Sequence, residues 1–230
     1  MNGGVIIIEG NIGAGKSTFA SILAEKLNGE YIAEPDEKSN PYLEDYYIDP
    51  HRWAFEMQMY LLSNRYRSHK YAQAKVRKNC GGYVVMDRSY YGDVCFAAVQ
   101  RELGYFSMRD FSTYMMHHTD MKSQLEPPAA AIFLNVSAET SKRRIERRIQ
   151  EKTGRKCEAG IDLSYLCALE MEIHSLKECM SGYTNIIDLA WNEDFSREQI
   201  AEKCDDISRT IRGFSPSIYD FWIGKAGKGE

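Results

Sequence analysis

A short apolar run followed at once by a glycine-rich segment constrains the fold of this chain more than any other feature. The run covers residues 5–8, and its β-branched side chains are typical of a buried parallel strand. The next segment, residues 10–17, fits the pattern G-x-x-x-x-G-K-[ST]. Apolar residues then recur at helical spacing over 19–27. The order strand, loop, helix is the context in which this pattern forms a phosphate-binding loop.

The chemistry of such a loop follows from its backbone. Glycines let the chain curl until its N–H groups point inward at phosphate oxygens, and the partial charge at the start of the next helix adds to that field. We expect Lys16 to reach the β- and γ-phosphates of a nucleotide and the hydroxyl of Ser17 to bind Mg²⁺. The alternative is a glycine-rich turn that Lys and Ser follow by chance.

Composition and charge limit the classes of protein to which the chain can belong. Its 230 residues are 43% hydrophobic and 27% charged, and their number suits one α/β domain over residues 1–230. The net charge of −4 argues against a nucleic acid or an anionic membrane as partner, and no apolar run is long enough to span a bilayer. The first strand begins too early to leave room for a signal peptide, and the six cysteines form no C-x-x-C pair. We therefore expect a cytoplasmic protein with reduced thiols.

Charged residues follow the second and third predicted strands. Residues 31–33 are followed by Glu34, and residues 83–86 run into Asp87 and Arg88. Ligands of open α/β sheets bind at the carboxyl ends of the strands, so all three side chains are candidates for one site. Asp87 resembles the carboxylate that P-loop enzymes place in the Mg²⁺ shell, and Arg88 could neutralise charge on a phosphoryl group in transfer. The alternatives are a solvated loop carboxylate for Glu34 and a strand-end salt bridge between Asp87 and Arg88.

Helical and strand patterns alternate along the rest of the chain. Residues 36–49 are predicted to be an irregular connection, and a long helix from residue 50 to about 78 carries Gln58 and Arg65 on one face. The remaining helices are predicted over 91–103, 108–123, 164–181 and 196–212, and the remaining strands over 131–136 and 185–189. This alternation predicts a three-layer α/β/α fold with a five-stranded parallel sheet and a loosely held tail over about 213–230.

A basic segment follows the fourth strand. Residues 142–156 contain eight basic and two acidic residues, a net charge of +6 in a chain that is acidic as a whole. Arg144 and Arg148 lie one helical turn apart in this segment. Its place in a nucleotide-binding sheet favours an arginine-rich lid over about residues 144–162, with Thr153 and Gly154 at the tip. The alternative is a solvated charged face.

Taken together, these motifs resemble those of the deoxyribonucleoside kinases, the family of deoxycytidine, deoxyguanosine and deoxyadenosine kinases. The resemblance runs from about residue 4 to 200 and is specific in the joint order and spacing of its elements. Those elements are Ile8-Glu9-Gly10-Asn11-Ile12-Gly13, Glu34-Pro35, Asp49-Pro50 to Trp53 with Gln58, Asp87-Arg88-Ser89, the basic segment, and Asn192-Glu193-Asp194-Phe195. The resemblance implies a P-loop kinase fold and phosphoryl transfer from ATP to the 5′-hydroxyl of a deoxyribonucleoside. It also implies nucleotide salvage and a homodimer.

The resemblance implies a role for each matching residue. Glu34 would take the proton from the 5′-hydroxyl, and Arg88 would stabilise charge near the 5′-oxygen. Gln58 would bond the edge of the base, and Tyr47 the 3′-hydroxyl of the sugar. Asp87 would join Ser17 in the Mg²⁺ shell. Contacts to ATP would come from Gly10, Asn11, Ile12, Gly13, Ala14, Gly15, Lys16, Ser17, Thr18, Arg144, Arg148, Glu193, Asp194 and Phe195.

Several positions around the nucleoside depart from the family's pattern. Ser39 stands where animal members have a tryptophan, and Met57 replaces the aromatic residue that precedes the glutamine. The phenylalanine that packs on the base is displaced by one position, which makes Phe96 the candidate. The family's glutamate that helps to hold the 3′-hydroxyl aligns with His174 of this chain, and Glu170 and Glu172 lie nearby. These three residues are the candidates for that contact, and the predicted substrate site includes Glu172.

Arg65 and Asp93 match a pair that lies beside the base in the deoxycytidine and purine kinases. A buried aspartate needs a partner, and arginine is its natural bidentate partner. Asp93 would then offer an acceptor to an amino group or a ring N–H and crowd the thymine methyl. We predict use of deoxyadenosine, deoxyguanosine or deoxycytidine, with purines foremost and thymidine poor. Two alternatives remain open, a nucleoside monophosphate kinase of the thymidylate type and a non-catalytic ATP-binding P-loop module.

Overall fold

The chain forms alternating strands and helices around one parallel sheet. A computed structural model describes residues 3–34, 40–79, 82–151 and 160–214. The strands are β1 (Gly4–Gly10), β2 (Glu30–Ile32), β3 (Tyr83–Asp87), β4 (Ala130–Asn135) and β5 (Asn185–Ala190). The helices are α1 (Lys16–Leu27), α2 (Leu43–Ile48), α3 (Pro50–Lys78), α4 (Tyr90–Glu102), α5 (Met108–Lys122), α6 (Ala138–Gln150), α7 (Leu163–Met180) and α8 (Arg197–Gly213).

The sheet has the strand order β2-β3-β1-β4-β5, and all four pairings are parallel. β1 lies at its centre, with Ile8 paired to Asp87 on one side and to Ile132 on the other. This arrangement confirms the predicted five-stranded parallel sheet. It also brings the end of β1 next to the end of β3, so the loop after β1 meets the residues that follow β3.

Helices cover both faces of the sheet and confirm the three layers. Ile6 and Ile8 are fully buried in a cluster with Phe19 of α1 and Ile207 of α8. Ile7 points to the opposite face, where it is buried in a cluster with Leu62 of α3 and residues of α4 and α7. Successive strand residues face opposite sides, which explains why a strand buried on both sides needs an unbroken apolar run.

The segment before the long helix differs from its prediction. Residues 43–48 form helix α2, where an irregular connection over 36–49 was predicted. Tyr46 is buried on this helix and Leu43, three residues earlier, packs against the same cluster. A helix of six residues gives too short a pattern for the helical period to stand out in sequence. The departure at Ser39 and the predicted lid tip at Thr153 and Gly154 lie outside the described residues, as does the tail beyond residue 214.

For most of the other helices and strands, the observed ends lie within two residues of the predicted ends. β1 was predicted over residues 5–8 and continues through Gly10. In the described ranges, the cysteines are free thiols at Cys95, Cys167, Cys179 and Cys204. No helix of those ranges combines the length and apolar content needed to cross a membrane.

Candidate active site

A cavity of about 760 Å³ opens at the carboxyl ends of β1, β2 and β3. The structure brings most of the predicted site residues to its wall, although the predictions came from segments far apart in sequence. Those that line it are Ile12, Gly13, Ala14, Gly15, Lys16, Ser17, Thr18, Glu34, Tyr47, Gln58, Arg65, Asp87, Arg88, Phe96, Arg144, Arg148, Glu193, Asp194 and Phe195. Gly10, Asn11, Asp93 and Glu172 are not among the lining residues.

The loop after β1 has the conformation that its glycines allow. Gly13 and Gly15 have φ of +80° and +87°, in the left-handed region that favours glycine, and a Cβ on Gly13 would lie 2.9 Å from the carbonyl oxygen of Ser141. Lys16 begins α1 and donates a hydrogen bond of 2.7 Å to the carbonyl oxygen of Asn11. Asn11 in turn donates from Nδ2 to the carbonyl oxygen of Leu166 at 2.9 Å, which ties the loop to α7.

Lys16 has an unusual proton affinity. Its side chain is buried, and burial together with the nearby positive charge of Arg88 lowers the pKa of its amine to about 7. The carboxylates of Asp87 and Glu34 act in the opposite direction without cancelling this effect. With this pKa the amine is partly neutral at neutral pH, and a bound anion would favour its protonated form.

Ser17 and Asp87 supply oxygen atoms suited to Mg²⁺. The Ser17 hydroxyl donates a hydrogen bond to Oδ2 of Asp87, while Oδ1 of Asp87 is buried and has no hydrogen-bond partner among the described residues. A buried carboxylate oxygen without a partner is a costly arrangement that a cation would relieve. Two oxygen donors with room for phosphates and water match the way Mg²⁺ binds at nucleotide sites. Within residues 3–34, 40–79, 82–151 and 160–214, no group of three or more His, Cys, Asp or Glu side chains could hold a metal alone.

Glu34 lies between two arginines. Its Oε1 accepts from Nη2 of Arg65 at 2.7 Å, and its Oε2 accepts from Nε of Arg88 at 3.1 Å. Burial alone would raise the pKa of this carboxyl, but the positive charges of Arg88, Arg65 and Lys16 outweigh it and lower the pKa to about 2. Glu34 is therefore an ionised acceptor at neutral pH, held in a fixed orientation at the cavity wall.

Arg88 adopts a strained backbone conformation. Its φ of 64° is in the left-handed region, which costs a residue with a Cβ about 1–3 kcal/mol. Its backbone N–H donates to the carbonyl oxygen of Ile8 at 3.1 Å, and its Nη1 donates to that of Gly10 at 3.2 Å. The guanidinium also lies 4.7 Å from the ring centre of Phe96. These contacts compensate for the strain and turn the guanidinium toward Glu34.

A buried carboxylate from the motif of residues 8–13 stabilises the backbone next to Arg88. Glu9 is 1% exposed, and its Oε1 accepts a hydrogen bond of 2.6 Å from the hydroxyl of Ser89. The same hydroxyl oxygen accepts from the backbone N–H groups of Tyr91 and Gly92, so it caps α4. A Cβ on Gly92 would lie 2.4 Å from Glu9, which leaves glycine as the residue that fits there. Glu9 thus fixes the start of α4 directly after Arg88.

Asp93 lies behind the cavity wall and holds the residues that form it. It is fully buried and forms an ion pair with Arg65, as predicted. Its Oδ2 also accepts from Nε2 of Gln58 at 2.8 Å and from the hydroxyl of Tyr114 at 2.6 Å. We expected Asp93 to offer an acceptor to the base, but its carboxylate is occupied by these three donors. In this structure the Asp93 carboxylate supports Arg65 and Gln58, which line the cavity.

The arginines of α6 hold the segment after β5. Arg144 donates from Nε to Oδ1 of Asp194 at 2.9 Å and from Nη2 to the carbonyl oxygens of Trp191 and Glu193 at 3.0 and 2.6 Å. Arg147 donates to Oδ2 of the same aspartate at 2.8 Å. Bonding to Arg144 lowers the pKa of Asp194 in spite of its partial burial. The Arg144 side chain, which we predicted to clamp phosphates, links α6 to residues 191–194 in this structure.

Several residues at the site were missed by sequence reasoning. Trp191 lines the cavity and packs between Phe19 and Phe195, with ring centres 5.3 and 4.7 Å away. Gln100, Arg147 and Tyr165 also line it. Its position after β5 could have indicated Trp191, and the basic segment contains Arg147. Nothing in the local pattern separates Gln100 and Tyr165 from ordinary helical residues.

None of the three candidates for the 3′-hydroxyl lines the cavity. Oε2 of Glu170 accepts from the backbone N–H of Ala138 at 2.8 Å, and His174 lies 3.6 Å from a carboxylate oxygen of Glu178 on the surface. Burial raises the pKa of Glu172, whose charged neighbours are Arg101 and Glu102. The inclusion of Glu172 in the substrate site has no support in the structure. All three candidates lie on α7, and its described cavity contacts come from Ser164 and Tyr165 near its start.

A family model decides between the kinds of P-loop protein that this geometry allows. The model for deoxynucleoside kinase matches residues 6–214. The chain belongs to the deoxynucleoside kinase family. This match confirms the resemblance drawn from the motifs and makes the chain a nucleotide-binding transferase of the kinase type.

Individual relatives agree with this membership. The chain is 35% identical over 203 residues to a deoxyadenosine kinase of Dictyostelium discoideum, with 88% of this chain and 78% of that protein covered. It is 36% identical over 189 residues to a deoxyguanosine kinase of the same organism, covering 82% of this chain and 64% of that protein. A solved deoxyadenosine kinase from M. mycoides, with the products dCMP and dCDP bound, matches with a TM-score of 0.75 and 27% identity over 90% of this chain and 99% of that one.

Proposed function

We propose that the chain transfers the γ-phosphoryl group of ATP to the 5′-hydroxyl of deoxyadenosine, deoxyguanosine or deoxycytidine, in preference to thymidine, for nucleotide salvage. One observation carries the proposal. An ionised Glu34, held between Arg65 and Arg88, faces the same cavity as Lys16 and the phosphate-binding loop. A proton acceptor for the 5′-hydroxyl and a site for the phosphates in one cavity would suit in-line phosphoryl transfer.

On the acceptor side, Glu34 binds and orients the 5′-hydroxyl and receives its proton as the phosphoryl group arrives. Its low pKa makes it a weak base, which suits a loose transition state in which little negative charge develops on the attacking oxygen early. Arg88, fixed by its bonds to Glu34 and the Gly10 carbonyl, stabilises charge near the 5′-oxygen. Tyr47 and Phe96 line the same region and would contact the sugar and the base.

On the donor side, backbone N–H groups of residues 10–18 and the amine of Lys16 bind the phosphates. Mg²⁺, held by Ser17 and Asp87, would neutralise phosphate charge when bound. Arg148 and Arg144 lie on α6 at the cavity wall, where they would contact ATP phosphates. Residues 192–195, which Arg144 holds through Glu193 and Asp194, would pack on the adenine.

Two rival functions fit less well. A nucleoside monophosphate kinase of the thymidylate type needs a cation for the phosphate of its acceptor. Arg65 and Arg88, the described arginines of the acceptor side, are both paired with carboxylates. A non-catalytic ATP-binding module would have no use for a strained Arg88 directed at an ionised Glu34.

The test is a screen with ATP radiolabelled at the γ-phosphate. The four deoxynucleosides, their ribose analogues and the corresponding deoxynucleoside monophosphates serve as acceptors. Label in deoxyadenosine, deoxyguanosine or deoxycytidine monophosphate would support the proposal. Label appearing only in diphosphates would favour the first rival, and ATP binding without any labelled product the second.

The wider setting is part of the same proposal. We propose a single kinase domain that acts in the cytoplasm as a homodimer, with a lid over about residues 144–162. Family membership supports the domain, and the basic helix α6 at the cavity wall supports the lid. Sedimentation of the purified chain would test the dimer.

A further inference from the structure

Gln100 presents a buried hydrogen-bond acceptor at the nucleoside end of the cavity. The residue lines the cavity and is 1% exposed. Its Oε1 is buried and has no donor within hydrogen-bond distance among the described residues. Leaving a buried amide oxygen without a partner is unfavourable, so such an atom in a ligand cavity needs an explanation.

The orientation of this amide follows from a chain of hydrogen bonds that starts at an ion pair. The Asp93 carboxylate, paired with Arg65, can only accept, so Gln58 turns its amide nitrogen toward it and donates to Oδ2 at 2.8 Å and to the Asp93 carbonyl at 3.1 Å. The carbonyl oxygen of Gln58 then faces Gln100, whose Nε2 donates to it at 2.9 Å. The remaining end of the chain is Oε1 of Gln100, and it must be an acceptor.

The backbone of Gln100 is fixed as well. Its carbonyl oxygen accepts from the N–H groups of Tyr105 and Phe106 at 2.9 and 3.3 Å, where α4 ends and the chain reverses at Gly104. The side chain therefore projects from the last turns of α4, whose carbonyl oxygen at Gln100 is hydrogen-bonded, and not from a loop. Both N–H groups of the Gln58 amide are already used, so this part of the wall offers acceptors rather than donors.

We infer that Gln100 is a specificity-determining residue, whose Oε1 accepts a hydrogen bond from the exocyclic amino group of the nucleobase. The inference rests on the proposed function and narrows it. It assigns the substrate class to nucleosides with an amino group at purine position 6 or pyrimidine position 4, as in adenine and cytosine. Guanine and thymine carry a carbonyl oxygen there, and two acceptors facing each other repel.

The experiment compares two substrates that differ by this one group, 2′-deoxyadenosine and purine 2′-deoxyriboside. The ratio of their kcat/KM values is measured with saturating MgATP for the wild type and for Gln100→Met and Gln100→Glu. Met removes the acceptor with little change in volume. A protonated glutamic acid keeps it, since its O–H can donate to Gln58 while its carbonyl oxygen faces the cavity. Gln73→Met is the matched control, because Gln73 is a glutamine of similar burial on α3 that donates to the carbonyl oxygen of Glu126.

The wild type should prefer deoxyadenosine by about tenfold, the worth of one neutral hydrogen bond in a buried site. Gln100→Met should lose this preference, while Gln100→Glu and Gln73→Met should keep it. An unchanged ratio in Gln100→Met would overturn the inference. Equal loss in both Gln100 variants would also overturn it, because Gln100→Glu still presents an acceptor to the cavity. If Gln100→Met does not fold, Gln100→Asn replaces it and is expected to lose the preference, because its shorter side chain withdraws the amide.

The inference and the proposed function fail in different ways. A wild-type protein that phosphorylates none of the four deoxynucleosides would refute the function, and the assignment of Gln100 with it. A wild type that is active but has the same ratio as Gln100→Met would refute the assignment alone.

Discussion

Binding of MgATP should be linked to proton uptake by Lys16. In the free protein the pKa of its amine is about 7, because the side chain is buried and Arg88 lies nearby. At about pH 8 roughly nine in ten of these amines are therefore neutral. Phosphate oxygens favour the charged form, which raises the pKa in the complex. Binding should then take up about 0.9 proton, and the Kd for MgATP should rise by up to about tenfold per pH unit above 7.

Titration calorimetry can measure this uptake directly. A non-hydrolysable ATP analogue with Mg²⁺ is titrated at about pH 8 in two buffers that differ in their enthalpy of ionisation. The difference in observed enthalpy gives the number of protons taken up. Lys16→Arg keeps a permanent charge and Lys16→Met has none, so both variants should show almost no uptake.

The reasoning would be refuted by a wild type that takes up no more protons than Lys16→Arg. That result would mean that Lys16 is already charged in the free protein in spite of its burial. A flat dependence of Kd on pH, together with normal affinity in Lys16→Met, would remove the amine from phosphate binding altogether.

Glu34→Gln should lower kcat by about 10²-fold or more and change nucleoside affinity much less, since orientation and proton removal matter mainly in the transition state; a steady-state assay in which KM alone rises would contradict this role. Arg144→Ala and Arg148→Ala should each weaken ATP binding in calorimetry and leave nucleoside binding nearly unchanged, and equal losses for both ligands would indicate a structural role. Asp93→Ala should lower the free energy of unfolding by about 3 kcal/mol, because it leaves the buried Arg65 with one carboxylate fewer. The double change Arg65→Leu with Asp93→Ala should be milder in urea unfolding and should raise relative thymidine use; a double variant less stable than Asp93→Ala would refute the pairing argument.

The sequence predicted the parts of the site that depend on contiguous residues. The loop of residues 10–17 could be identified because its glycines, Lys16 and the flanking strand and helix are adjacent in the chain. Its place at the end of a strand made Glu34 a candidate, and family resemblance added its role. The resemblance also predicted the pair of Arg65 with Asp93, whose members are 28 residues apart and meet in the structure. Strand order could not be predicted, because hydrophobic periodicity carries no information on which strands pair.

The residues that were missed depend on long-range geometry. Gln100 has the same local pattern as any polar residue on α4, and only its bond to Gln58, 42 positions away, distinguishes it. The left-handed backbone of Arg88 is set by bonds to Ile8 and Gly10 of β1, which no local propensity encodes. Glu172 was included because it lies near His174, which aligns with the family position, but it does not line the cavity. Each residue of a helix is turned by about 100° from the one before it, so a nearby position in sequence need not share a face.

The distribution of charge in the cavity explains why the neutral nucleoside and the anionic ATP would bind at opposite ends of the cavity. On the acceptor side Arg65 and Arg88 are held by Glu34 and Asp93, so the arginine charges are balanced there. The amine of Lys16, by contrast, donates to a backbone carbonyl oxygen and has no carboxylate within salt-bridge distance in the described ranges. A nucleoside that already carries a phosphate would have to displace Glu34 from Arg65 and Arg88 and approach an ionised carboxylate. The phosphates of ATP would instead meet the N–H groups of the loop and the amine of Lys16, which gains a proton on binding. The same ion pairs that orient Glu34 would therefore favour a neutral hydroxyl group over a monophosphate as the acceptor of the phosphoryl group.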